Sequence, residues 1–215
     1  MAEDDRELSG ALADVEALYR SNLAEHGTSS ASVGWPDARA QQLRFDKLAY
    51  VIDTDAPITV NDWGCGYGAM FRYLDERFTL ERYTGYDISA EMLEAARGFV
   101  NDSRAHWVRG SEVTETADYS FVSGTFNVRM KAGDAAWQRY VEDTLRLLAQ
   151  RSRRGFAFNL LTTYVDWRKD DLFYGDPAHF FTFCRENVSR YVTLLHDYPL
   201  YEWTIAVRLD RRSDP

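Results

Sequence analysis

Apolar positions near the start of the chain recur every three or four residues. Over 5–26 they fall at Leu8, Leu12, Val15, Leu18, Tyr19 and Leu23, which predicts an amphipathic helix that Gly27 ends. A polar stretch over 28–34 leads to Trp35 and Pro36, and the run 37–51 reads as a second helix with proline near its first turn. From Ile58 the pattern changes. Short apolar runs at 58–63, 82–88, 105–109, 119–122, 155–161, 190–196 and 201–209 predict seven strands. Helical patterns lie between them at 69–77, 90–100 and 134–149, the second capped by Ser89. Strand and helix in alternation favour a doubly wound α/β fold, a parallel sheet covered on both faces. The last two strands are joined by only a few residues around Pro199, too few for a parallel crossover of about a dozen residues, so the last strand runs antiparallel. The expected organisation is one compact domain, with a helical cap over 1–56 and a core over 57–215.

Composition narrows the possible partners. The 215 residues are 45% hydrophobic and 27% charged, which is ordinary for a globular domain, and no apolar run reaches the ~20 residues of a membrane span. The first five residues, Met1 to Asp5, are acidic and unlike a secretory signal, so the expected location is cytoplasmic. A formal charge of −9 opposes nucleic acid and acidic membranes, whose binding depends on cationic side chains. The cluster Arg151, Arg153 and Arg154 reads as a solvated helix end. Cys65 and Cys184 have no ligand-like spacing, and no metal site is expected. Composition leaves the oligomeric state open between monomer and homodimer.

The chemistry-bearing segment follows the first strand, where Asp62, Trp63, Gly64, Cys65, Gly66, Tyr67 and Gly68 give an acid and then G-x-G-x-G. Glycine belongs where backbone must approach a ligand or adopt a positive φ. The spacing differs from the dinucleotide pattern G-x-G-x-x-G. The second strand ends in Asp87, placed to accept two ribose hydroxyls as acids there do in doubly wound nucleotide-binding folds. Strand, acid and glycine loop, together with a sheet of seven strands closed by a reversed one, resemble the class I S-adenosylmethionine-dependent methyltransferases, a Rossmann-like fold. The resemblance implies S-adenosylmethionine as cofactor. It would lay the methionine along Gly64, Cys65, Gly66, Tyr67 and Gly68, with Asp62 near the ammonium group. It places Ile88 and Met92 near the adenine, although either would serve equally as core. Family members often carry Gly-Asp after the third strand. Here Gly110, Ser111 and Glu112 stand there, with Ser111 or Glu112 as substitutes.

Ligands of such sheets bind beyond the carboxyl ends of the parallel strands. That rule nominates Ser123 and Asn127 after the fourth strand, Tyr164 after the fifth and His196 after the sixth. Methyl transfer from a sulfonium needs an aligned nucleophile and, for a hydroxyl, a base. His196 is the first candidate base, with Asn127 and Tyr164 beside it, yet His196 reads equally as a hydrogen-bonded hairpin residue. His179 is a weaker candidate. The aromatic-rich segment 162–187 is either a small core beneath a lid or the wall of an acceptor pocket. The N-terminal helices, with Tyr19, Trp35, Arg44 and Phe45, would close the other side, and Arg44 would meet the cofactor carboxylate. The chain lacks the Pro-rich tetrad of amino-methylating DNA enzymes, the Pro-Cys pair of cytosine enzymes and the double-acid loop of protein arginine methyltransferases. By elimination the acceptor is a small molecule methylated on O or N. The alternative is a catalytically idle cofactor-binding regulator or scaffold.

Overall fold

The computed structural model describes residues 2–35 and 37–209, with side chains from residue 6 onward. Pro36, expected at the start of the second helix, and residues 210–215 of the expected core lie outside the described residues. In chain order the elements are α1 (Ala2–His26), α2 (Ala38–Leu48), β1 (Ile58–Trp63), α3 (Ala69–Asp75), β2 (Leu80–Asp87), α4 (Ala90–Phe99), β3 (Ala105–Arg109) and β4 (Ala117–Val122). They continue with α5 (Asp134–Arg151), β5 (Ser152–Thr162), β6 (Tyr174–Gly175), α6 (Pro177–Asn187), β7 (Tyr191–Leu195) and β8 (Glu202–Arg208). Short 3-10 turns lie at Ser30–Val33, Ala49–Val51 and Thr125–Asn127.

The strands form one sheet in the order β3-β2-β1-β4-β5-β8-β7, with the two-residue β6 added on β5. β1 to β5 pair in parallel, whereas β8 runs antiparallel to both β5 and β7. The doubly wound sheet with one reversed strand is therefore present as the sequence predicts. Both faces are covered. Phe156, Phe158 and Leu160 of β5 join Trp203, Ile205 and Val207 of β8 in a core cluster that includes Trp137 and Leu145 of α5 and Phe180 of α6. On the opposite face the apolar residues that the same strands bury are Ala157 and Ala206, beside Phe45 and Leu48 of α2. Side chains alternate along a strand, so large residues on one face and alanine on the other leave room for α2 to lie close to the sheet.

Two expectations need correction. The segment 162–187 contains a helix, α6, whose start is defined by Asp176 accepting a hydrogen bond from Ala178 N, with Pro177 at its first position. Its Phe180, Phe183 and Cys184 are buried, while Tyr164 and Trp167 are exposed, so the aromatics divide between a core and a surface. The basic cluster ends the helix only at Arg151, because Arg153 and Arg154, part-exposed, already belong to β5. α5 passes directly into β5 at Ser152, and Arg153 and Arg154 pair with Asp118 at 2.9 Å and Asp53 at 3.0 Å.

At α4 the sequence reading holds in detail, with Ser89 Oγ accepting from Met92 N at 3.2 Å. Ser89→Ala is expected to cost about 1 kcal/mol of stability, the usual worth of an N-cap. Urea unfolding monitored by circular dichroism checks this, and an unchanged midpoint contradicts it.

Candidate functional site

β1, β2, β3 and β4 are parallel and end at one edge, and the residues that follow them line a cleft of about 700 Å³. Gly64, Gly66, Asp87, Ile88, Gly110, Ser111, Ser123, Gly124 and Thr125 supply one side of it. Leu12, Val15 and Tyr19 of α1 cover it with Val33, and Trp63, Met92, Trp137 and Tyr140 add apolar surface. α1 is tied down at its middle by Glu16 to Arg109 at 3.2 Å and near its start by Glu7, which accepts from Gly133 N at 2.6 Å.

The loop after β1 needs its glycines. Gly64, Gly66 and Gly68 have φ of 75°, 53° and 81°, and a Cβ on Gly64 would lie 2.2 Å from Thr125 Oγ1. Gly64 N and Cys65 N both donate to Tyr86 O, at 2.8 and 3.0 Å, which joins the loop to β2. Asp87 then fixes its middle. One carboxylate oxygen accepts from Gly66 N at 2.9 Å and the other from Ser89 N at 2.9 Å. Burial raises the Asp87 pKa, opposed by those same two hydrogen bonds. Burial, with the Asp87 charge adding to it, pushes the Tyr19 phenol up to about 12.

Beneath the loop lies Asp62, 2% exposed, which accepts a hydrogen bond from the Tyr83 phenol. Burial raises its pKa to about 7, with the Asp87 charge adding and the Tyr83 hydrogen bond opposing.

Of the residues expected at a cofactor, Gly64, Gly66, Asp87, Ile88, Met92, Ser111 and Ser123 line the cleft. Others of the loop face away from it. Cys65 is buried against Gly85, Tyr67 donates to Gln41 Oε1 at 3.2 Å, and Gly68 precedes α3 beside Trp107. Glu112 is exposed and outside the lining. Arg44 is a correction. Its guanidinium is buried in a bidentate pair with Glu202 at 2.6–2.9 Å, because α2 lies against the start of β8.

The three candidate catalytic side chains also lie outside the lining. His196 is exposed at the end of β7, and β5 and β8 separate that strand from β4, roughly 4.8 Å per strand. Its ring is 5.9 Å from that of Tyr164, itself 70% exposed. Asn127 is buried, and its Oδ1 accepts from Leu161 N at 3.1 Å. His179 is engaged by Glu142 at 2.8 Å. Sequence reasoning missed Trp137 and Tyr140 as cleft residues because their helical spacing marks them as core, and Val33 because its surroundings are polar.

The model of a methyltransferase domain family matches residues 60–152. A Mycobacterium tuberculosis protein, a presumed methyltransferase by name, is 47% identical over 161 residues, 74% of this chain and 97% of its own length. This chain belongs to the class I S-adenosylmethionine-dependent methyltransferases. Among solved structures, a methyltransferase of Leishmania major aligns at a TM-score of 0.65 and 14% identity, over 92% of this chain and 82% of its own. Magnesium protoporphyrin IX methyltransferase of Synechocystis PCC 6803, solved with S-adenosylhomocysteine, aligns at 0.61 and 11%, over 80% and 84%. These show the shared fold. Membership of the family makes this chain a methyltransferase with S-adenosylmethionine as its cofactor.

The lining suits a cationic donor that carries no phosphate. Among the described residues no Lys or Arg lines the cleft, the acid Asp87 does, and Trp63, Trp137, Tyr19 and Tyr140 supply aromatic surface. Ser123 Oγ is buried at the wall and makes no hydrogen bond among the described residues.

Asp62 gives the methyltransferase a pH signature. Its ordinary pKa is 3.8 and its folded value about 7, so between these the unfolded chain releases a proton that the fold keeps. Stability is expected to fall as pH rises through that window and to level off above it. Asp62→Asn mimics the neutral acid and flattens the profile. Urea midpoints at pH 5 and pH 8 test this, and equal slopes in both proteins contradict it.

Proposed function

We propose that the methyltransferase moves a methyl group to an oxygen or nitrogen of a small molecule. The observation that carries this reading is the covered cleft. α1 lies over the strand ends with Leu12, Val15 and Tyr19, which leaves no open floor for a folded macromolecule. The formal charge of −9 adds an unfavourable field for nucleic acid.

In this reading Asp87 accepts the ribose hydroxyls, since its carboxylate keeps acceptor capacity beyond the two backbone hydrogen bonds that orient it. Ile88 and Met92 flank the adenine, with Ser111 at its polar edge. The methionine lies along Gly64 and Gly66 toward Ser123 and Thr125. Asp62 acts from below the loop, through the charge it gains when a cation lies above it. Bound there, S-adenosylmethionine supplies a methyl group on a sulfonium whose departing thioether is neutral. The chain's own contribution is alignment and exclusion of water. Among the described residues the lining holds no histidine, so the reading favours an acceptor whose reacting atom needs no protein base to remove its proton before attack.

Asp87→Ala is expected to weaken S-adenosylhomocysteine binding at least tenfold in calorimetry, and unchanged affinity would mean that the ribose lies elsewhere. Incubation with radiolabelled S-adenosylmethionine and cell extract tests the acceptor class. Label in the small-molecule fraction supports the proposal; label confined to protein or nucleic acid overturns it.

A further inference from the structure

A buried polar chain connects the cap, the last strand and the cleft wall. Arg44 Nε and Nη2 on α2 donate to Glu202 at the start of β8, at 2.6–2.9 Å. Asn159 Nδ2 on β5 donates to Glu202 Oε2 at 2.7 Å, and Asn159 Oδ1 accepts from Gly124 N at 2.7 Å. Arg44, Asn159 and Glu202 are 5%, 0% and 1% exposed. Trp35 forms a second link to the same turn. The Arg44 guanidinium lies 3.5 Å from its ring centroid, and a Cβ on Gly124 would be 2.3 Å from its ring.

Gly124 belongs to the turn Ser123–Thr125, which lines the cleft beside the glycine loop. Thr125 Oγ1 donates to Trp63 O at 3.3 Å and fills the space beside Gly64. Where the turn sits therefore sets how wide the cleft is over Gly64. Two buried polar atoms of this region, Ser123 Oγ and Arg44 Nη1, make no hydrogen bond among the described residues. The other end of the cleft, at Asp87, Ile88 and Gly110, is held by β2, β3 and α4, with no residue of this chain of contacts among them.

We infer that Asn159, held by Glu202 and Arg44, and Trp35, seated on Gly124, are positioning residues for the turn Ser123–Thr125 and hence for the amino-acid half of the cofactor site. The inference rests on the reading that the ribose sits at Asp87. On that reading the ligand crosses from the ends of β3 and β2 to those of β1 and β4, and its amino-acid part falls beside the turn. A hydrogen bond from Gly124 N to a carboxamide oxygen is directional, so its loss loosens the backbone at a left-handed residue, φ 72°, otherwise held by the Trp35 ring and by the Asn127 N–H that its carbonyl accepts. Loss of Trp35 removes the surface against which the turn rests. Neither change touches the adenosine end.

The test compares two probes by calorimetry: S-adenosylhomocysteine, and 5′-methylthioadenosine, which lacks the amino-acid portion. Asn159→Ala and Trp35→Leu are expected to weaken S-adenosylhomocysteine at least tenfold while 5′-methylthioadenosine stays within twofold of wild type. Parallel loss of both probes would show a general structural role and overturn the inference, as would no loss of either. If Asn159→Ala does not fold, as judged by circular dichroism, Trp35→Leu carries the comparison by itself. Wild-type protein that binds neither probe overturns the cofactor reading itself, a result distinct from loss in the variants.

Discussion

The cleft depends on two hydrogen bonds accepted by one carboxylate. Asp87 takes the Gly66 amide with one oxygen and the Ser89 amide with the other. The first bond bends the glycine loop over the end of β2, and the second starts α4. Because both partners are backbone groups, the side chain is oriented by the path of the chain and not by other side chains. A carboxylate oriented in this way keeps lone pairs free for a ligand. Loop, strand end and helix start thus share a single anchor at the point where a nucleoside would be read.

A second consequence concerns charge. Burial raises both Asp62 and Asp87 above their ordinary values, with the Asp87 charge adding at Asp62 and the Glu16 charge adding at Asp87. With no Lys or Arg among the described residues of the lining, the cleft stores unfavourable negative potential that a cationic ligand relieves. The Arg44–Glu202 pair shows the opposite design, a buried charge neutralised at contact distance within the protein. Removing one member of such a pair costs about 3–5 kcal/mol, whereas the intact pair adds little net stability. Its value here is geometric, in what it holds still.

Much of this was legible in the sequence because it was written in local chemistry. The glycine spacing, Asp62, Asp87 and the Ser89 cap act within a few residues of themselves, and the short link around Pro199 forces the reversal of β8. What was not legible depends on distant partners. Arg44 pairs with a residue 158 positions away, and nothing in the local pattern of α2 reveals it. His196 follows a strand at the correct end of the sheet, but two strands intervene laterally, and strand order is not encoded in local periodicity. Trp137 and Tyr140 have the spacing of core residues and are core-like, while also lining the cleft. The aromatic segment concealed α6 because its density of Phe and Tyr masked a helix start that Asp176 and Pro177 spell out.

The reversed direction of β8 gives the site a dependence on the order of synthesis. In a parallel sheet the start of a strand lies at the edge away from the cleft, so Glu202, the first residue of β8, reaches the cleft edge only because that strand is antiparallel. A chain emerging from the ribosome makes α2, the glycine loop and the Asp87 anchor long before Glu202. Until β8 inserts between β5 and β7, Arg44 has no carboxylate to meet and Asn159 loses one of its two partners. The nucleoside end of the cleft can form early, but its far wall is completed last.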